Sequence, residues 1–404
     1  MLLAARPVAR FVAPLRRLQA VNRAGVGRLW GSVRRGAVTT LSTLRRTVTK
    51  DPIDLASGEV VLTQVDLSLP GALPLVLART HISSYRSGRW FGPNWASSLD
   101  EHLEIDSGAV HLARADGSVL TFPLPSGGEV SRPAAGEQLE LTRTEGGYVV
   151  TDPQTGVATW FRQLAGSDAV LTAIVDRNGH RIDVDYGRDG QLLALRHSGG
   201  YHVVLDTAEE RVRGISLLTA GGALTPVVSF GYDEAGRLAA VVNSSGLPLR
   251  FDYDGAGRMT RWEDRNGNWY AYSYDEQGRC VRGSGIGGVL DCTLEFDPEN
   301  RRTTYTDSLG QVTSYRVNEA GRVVSVTDPL GGVELTEWDA FDHVVAHTDA
   351  LGATTRYDYA PDGVDLVGVR RADGARVRIT YDTHRPVDVV EADGSVWRYR
   401  RGGR

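Results

Sequence analysis

Phe251-Asp252-Tyr253-Asp254-Gly255-Ala256-Gly257-Arg258 is answered 21 residues later by Tyr272-Ser273-Tyr274-Asp275-Glu276-Gln277-Gly278-Arg279. The aromatic–acid pair, or a near variant, also marks Tyr232-Asp233, Phe296-Asp297, Val317-Asn318, Trp338-Asp339, Tyr359 and Tyr381-Asp382. From position 232 the spacings are 21, 21, 22, 21, 21, 21 and 22. A period of that length means one small supersecondary unit stacked on copies of itself. Most residues are then scaffold, and chemistry must stand out from it.

Each unit reads as a strand. The residue two before the anchor aromatic is Phe251, Tyr272, Leu294, Tyr315, Thr336, Tyr357 or Ile379, whereas Arg250, Asp252, Ser273, Glu295, Arg316 and Asp358 fall between. That alternation gives one mostly apolar and one polar face. After the anchor comes Asp-x-x-Gly-Arg, as in Asp233 to Arg237, where the carboxylate caps backbone N–H groups and glycine accepts a positive φ. A second turn, Asp-x-x-Gly, starts at Asp264, Asp307, Asp328 and Asp349. The unit is a β-hairpin, and hairpins pairing edge to edge make an all-β, winding sheet. Buried anchor aromatics are expected to hold it together.

Composition agrees. The 404 residues include 47 glycines and 15 tyrosines, a mix suited to short strands and tight turns. Residues 1–50 hold ten arginines, Lys50 and no acid, and read as a basic, disordered arm, with a misplaced translation start or a delivery segment as alternatives. The other 354 residues carry 34 basic and 50 acidic groups, a net of −16, which argues against nucleic acid as a partner. No apolar run approaches the ~18 residues of a membrane span, and the first 50 residues lack a secretory apolar core. On that reading the chain is cytoplasmic before any export.

At Asp51-Pro52 the composition changes. Residues 51–125 show strand-like alternation and a dense aromatic stretch, Arg79 to Tyr85 and then Arg89-Trp90-Phe91-Gly92-Pro93-Asn94-Trp95, which reads as the packing centre of a small β domain. Residues 126–175 read as an irregular β connection and 176–404 as repeats, with 195–230 degenerate.

The Tyr-Asp-x-x-Gly-Arg units with Asp-x-x-Gly turns between them resemble the YD repeats of the Rhs (rearrangement hotspot) family. The block Asp51 to Glu59, with Leu69-Pro70-Gly71 through Trp95, resembles the small domain of unknown function that opens many Rhs cores. The resemblance covers residues 51–404. It implies a hollow shell, shared in outline with insecticidal toxin complexes and teneurins, that encloses a C-terminal toxin used in interbacterial competition. It also implies a secreted or cell-surface destination. Implied partners are the toxin domain or further Rhs repeats, and secretion-system components. The family's closing core, with its Asp-Pro-x-Gly autocleavage segment, is not found: Asp328-Pro329-Leu330-Gly331 has those letters but occupies a repeat turn. Trp397 to Arg404 reads as an unfinished unit, so the expectation is the front portion of an Rhs protein, truncated before core closure and toxin.

Other motifs yield to the repeat. Gly283-Ser284-Gly285-Ile286-Gly287-Gly288 matches G-x-G-x-x-G, but sits in a turn slot with a strand expected over Val289 to Phe296. His343 and His347 on a strand would stand ~13 Å apart at ~3.3 Å per residue, too far to share a metal. Asp264 to Asn268 lacks the ligand order of a calcium loop, and His81 reads as a buried, hydrogen-bonded core residue. Cys280 and Cys292 are expected to face each other across a hairpin centred on residue 286; they are a candidate disulfide, which a reducing cytosol would disfavour. No cofactor, metal or catalytic residue is assigned. The leading reading is a non-enzymatic shell component; the alternative is an extracellular carbohydrate- or protein-binding repeat module displaying Tyr253, Tyr274 and Trp338, and an enzyme is the weakest.

Overall fold

The computed structural model describes residues 52–164 and 167–400. The basic arm assigned to residues 1–50 and the final four residues lie outside them. Alternation becomes strand wherever a turn residue closes it. Arg376–Asp382, for example, exposes Arg376, Arg378 and Thr380 and buries Val377 and Ile379. From Val130–Ser131 to Val396–Arg398, every strand pairs antiparallel with the next, so the sheet is a single meander.

The N-terminal block divides between two sheets. Strands β1 (Val61–Leu69), β2 (Leu75–Ile82) and β3 (Trp95–Ser97) form a small sheet of their own. Strands β4 (His102–Ile105), β5 (Ala109–Ala113) and β6 (Val119–Pro123) belong to the large sheet. They join it because β4 pairs with Asp168, Ala169 and Val170, whereas Arg181–Tyr186 takes Ala173 to Val175 of the same strand.

The meander winds back on itself. The Gly136 N–H donates to the Ala340 carbonyl at 2.9 Å, and the Gln154 side-chain amide donates to the Val364 carbonyl, 210 residues further on. Arg177 reinforces this seam by donating to the carbonyls of Pro153 and Gln154. One buried cluster runs from Ile53 through Trp95, Phe122 and Phe251 to Leu294, and a smaller one holds Tyr357, Val369, Val377, Ile379 and Val389.

Residues 126–175, read as an irregular connection, contain regular strands at Glu140–Thr144, Gly147–Thr151, Ala158–Gln163 and Asp168–Val175. The degenerate stretch also folds regularly. His202–Ala208 and Arg211–Leu218 form a hairpin whose tight turn places Glu209 and Glu210 at φ +53° and +56°, a conformation usually given to Asn or Gly. The repeat letters have decayed there, but the apolar alternation has not.

Candidate functional site

The repeat turn is held by its acid. In Asp254, Oδ1 accepts the N–H groups of Ala256 and Arg258 at 3.0 and 2.9 Å, and Oδ2 accepts Arg258 Nε at 2.7 Å. Asp233 does the same for Ala235 and Arg237, and Asp275 for Arg279. Burial works to raise the Asp254 carboxyl, but the hydrogen bonds and charge of Arg258 outweigh it and hold the group below the ordinary carboxylate range. In the Asp339 unit His343 replaces the arginine and bonds the acid through Nδ1 at 3.0 Å. Asp342 stands where glycine would, at φ +66°, and is held there by an ion pair with Arg322. Asp297 caps Asn300 instead. Asp382 closes a tight turn through Thr383 and His384, both at positive φ.

The anchors tie one hairpin to the one before. The Tyr253 hydroxyl donates to the Leu238 carbonyl at 2.7 Å, and Tyr274 to Met259 at 2.6 Å. Trp338 Nε1 donates to Val323 and Tyr381 to Leu366, both at 2.9 Å, and all four reach back 15 residues. Tyr232 donates to Val212 at 2.6 Å. The turn arginine then covers the next anchor: Arg237 lies over Tyr253, Arg258 over Tyr274 and Arg279 over Phe296, at 5.2, 4.6 and 4.9 Å. Burial pushes the hydroxyls of Tyr232, Tyr253 and Tyr274 well up, so they remain donors.

Two features differ from expectation. A β-bulge immediately precedes Tyr232, Tyr253, Tyr274, Val317, Trp338, Tyr359 and Tyr381, whereas Phe296 lies in an unbroken register. Bulges re-aim a side chain, here toward the preceding hairpin. The anchors are consequently half-buried, and the fully buried residues are those two before them, such as Phe251, Tyr272 and Leu294. No letter in the sequence marks a bulge.

The small sheet is seated on these units. Trp95 Nε1 donates to the Tyr253 hydroxyl at 3.0 Å, its ring meets Phe251 edge-on, and Phe91 meets Phe230 the same way. The Arg79 guanidinium lies 4.4 Å from Trp95 and pairs with Asp66 at 2.9 Å, both side chains being buried. Asn94 donates to the Gly257 carbonyl at 2.7 Å. His81 packs against Trp95 and Tyr253 and is buried as expected, but neither ring nitrogen hydrogen-bonds a described residue, and burial pushes the imidazole down to about 3. A strap just before β1 crosses a different part of the array. The Gly58 carbonyl accepts the Cys280 N–H at 2.8 Å and the Leu55 carbonyl accepts Thr303 Oγ1 at 2.6 Å.

The cysteine expectation is corrected. Cys292 faces Gly283 and Cys280 faces Tyr274 in the neighbouring pair, and the two buried thiols form no disulfide. The register misses residue 286 because Ile286–Gly288 forms a 3-10 turn followed by Leu290 at positive φ, which lengthens one side of the connection. Burial pushes the Cys280 thiol up to about 12. The Gly-rich motif is likewise only partly turn. Gly283 and Gly285 lie in the strand Cys280–Gly285, where a side chain on Gly283 would collide with the Tyr270 ring, and the following strand starts at Cys292 rather than 289.

Of the remaining candidates, His343 is taken by its turn, and His347 is buried in Val344–Thr348 opposite Thr336. Asp264 caps Asn266 and Asn268. Among the described residues, no three His, Cys, Asp or Glu side chains gather as metal ligands, and no helix is long and apolar enough to cross a membrane.

A bulged hairpin array with a small β domain seated on its apolar face is a YD-type repeat architecture. Residues 50–122 match the domain of unknown function DUF6531, and residues 232–268, 253–283 and 296–333 match the RHS Repeat. A DUF6531 domain followed by RHS repeats matches the N-terminal portion of Rhs/YD-repeat family proteins. The chain is 29% identical over 321 residues to a probable deoxyribonuclease, RhsB, of Dickeya dadantii (strain 3937), covering 78% of this chain and 22% of that protein. It is 25% identical over 218 residues to double-stranded DNA deaminase toxin A of Burkholderia cenocepacia (strain H111), covering 50% and 14%. A solved structure, TcdB2-TccC3, aligns at 12% identity over 70% of this chain and 16% of that one, with a TM-score of 0.30. The chain thus spans 22% and 14% of these two relatives and 16% of the solved structure, and is a β-repeat module in which a DUF6531 domain precedes RHS repeats.

Proposed function

We propose that this chain is a non-enzymatic wall segment of a shell that encloses and delivers a toxin domain. The observation that carries this is the seam at which Gly136 meets Ala340 and Gln154 meets Val364, because a sheet that winds against its own earlier strands builds a wall. The relatives support it too. One is described as a deoxyribonuclease and another as a deaminase, yet each matches this chain over a minor share of its own length. Different chemistries behind a common module are what a container with exchangeable cargo requires. The proposed structural residues are the anchors Tyr232, Tyr253, Tyr274, Phe296, Trp338 and Tyr381 with their acids. Proposed partners are a toxin domain, further repeats of the same wall and a secretion apparatus that exports the assembly. Glycan display by Tyr253, Tyr274 and Trp338 loses support, because their polar ends are spent on main-chain carbonyls.

The test joins the chain in cis to a downstream nuclease domain and follows protease sensitivity of that domain. A wall predicts protection that is lost when Tyr253 and Tyr274 are both changed to Ala. DNA cleavage by residues 1–404 alone, or cargo cut equally fast with and without the staples, would overturn the reading.

A further inference from the structure

Several charges that stand directly opposite one another on the polar face are of opposite sign, as are Asp183 with Arg196 and Asp388 with Arg398. Arg250 stands opposite Glu263 and Asp252 opposite Arg261. Three neighbouring strands late in the array break the pattern. Arg356 of Thr354–Tyr359 stands directly opposite Arg370 of Leu366–Arg370, which stands directly opposite Arg376 of Arg376–Asp382. With strands ~4.8 Å apart, three arginines share a span of about 10 Å, and like charges in direct register destabilise a sheet. Arg302 opposite Arg316 is another such pair, but Arg302 has Asp297 at 3.6 Å.

Local acids answer only part of the row. Arg370 pairs with Asp358 at 2.8 Å and Arg356 approaches Glu337 at 3.8 Å. The side chains of Arg376 and Arg378, both exposed, make no ion pair or hydrogen bond with any described residue. Between them lies a depression of about 320 Å³ floored by Gly368. Gly368 faces Asp358 and Arg378, and a Cβ there would come within 3.1 Å of the Asp358 carboxylate. The glycine keeps the floor low, so the guanidinium groups line an open basin.

We propose that this basin binds a carboxylate-rich polypeptide segment, with Arg376 and Arg378 as its principal contacts and Arg370 beside them. A guanidinium fork takes a carboxylate through two parallel hydrogen bonds, and Asp358 already makes a carboxylate contact there with Arg370. Nucleic acid fits less well. No aromatic residue stands on this face of the three strands to stack a base. The site rests on charge and register, independently of the shell reading.

The test is calorimetric titration of the full chain at low salt with a hexaglutamate peptide, and separately with inorganic phosphate and a short single-stranded DNA. The peptide is expected to bind, to weaken as salt rises, and to weaken at least tenfold in the Arg376→Ser/Arg378→Ser variant. The Arg250→Ser/Arg261→Ser variant should bind as the parent does. The thermal midpoint of the first variant should be equal or higher, since its side chains are exposed and mutually repelling. Absence of peptide binding, equal weakening in both variants, or tighter binding of phosphate or DNA than of peptide would each overturn the proposal.

Discussion

The units anchored at Tyr232, Tyr253 and Tyr274 and those anchored at Phe296 and Val317 share one period and one pairing pattern, yet are held differently. The first three donate hydroxyl protons to the preceding hairpin and carry the small sheet through Trp95, Arg79 and Asn94. Phe296 and Val317 have no donor to give. There the strap takes over: Gly58 bonds Cys280, Leu55 bonds Thr303, and Ala56 lies against Gly321. The array is continuous as a sheet but is fastened from within in one stretch and from outside in the next. A degraded anchor is therefore tolerated where another part of the chain lies across it.

The largest expected effect breaks the first region. Phe251→Ala removes a buried ring touching Trp95 and should destabilise by about 3–5 kcal/mol, read by chemical denaturation; a loss below about 1 kcal/mol would mean that the small sheet is not seated there. Acid should come next. His81 is neutral when folded, with its pKa near 3, and an unfolded histidine titrates near 6.5. Between those values the unfolded state binds the extra proton, so stability is full above about pH 6.5 and falls as the pH drops toward 3. The fall is about 2 kcal/mol between pH 6.5 and 5 at ~1.4 kcal/mol per unit. Replacing His81 by Phe should remove most of that slope, and an unchanged slope would assign the acid sensitivity to carboxylates.

Tyr274→Phe deletes one staple and should lose about 1 kcal/mol. Thr303→Val deletes the strap's hydroxyl contact and should lose a similar amount by the same reasoning. Equal tolerance of both changes would dissolve the contrast between the two regions. Smallest of all, Arg250→Ala on the polar face should stay within about 0.5 kcal/mol.

Much of this was legible because period and alternation are chemical necessities of stacked hairpins. The Asp-x-x-Gly-Arg turns could be read because an acid, a glycine and an arginine each do one local job. The bulges could not, since an extra residue in one strand leaves the letters and the apolar count intact. The same silence hid the Glu209-Glu210 turn, where neither residue advertises a positive φ. The cysteine register failed because a 3-10 turn was counted as a symmetric loop. Seating the Trp95 cluster on Tyr253, 158 residues away, required tertiary contacts that no local pattern encodes. The arginine row was invisible for a related reason: Arg356, Arg370 and Arg376 become neighbours only once the register is fixed.

The strap also sets a schedule. Leu55 and Thr303 are 248 residues apart, so at ~5–20 residues per second the hydroxyl that receives the strap emerges roughly 10–50 s after it. Through that interval Ile53 and Leu55, fully buried at the end, have no finished surface to lie against. Synthesis rate, rather than any contact within the folded array, decides how long those side chains are open to chaperones and to neighbouring chains. Slowing translation between the two positions should lower the yield of folded protein, and a strap-weakened variant should feel the delay less.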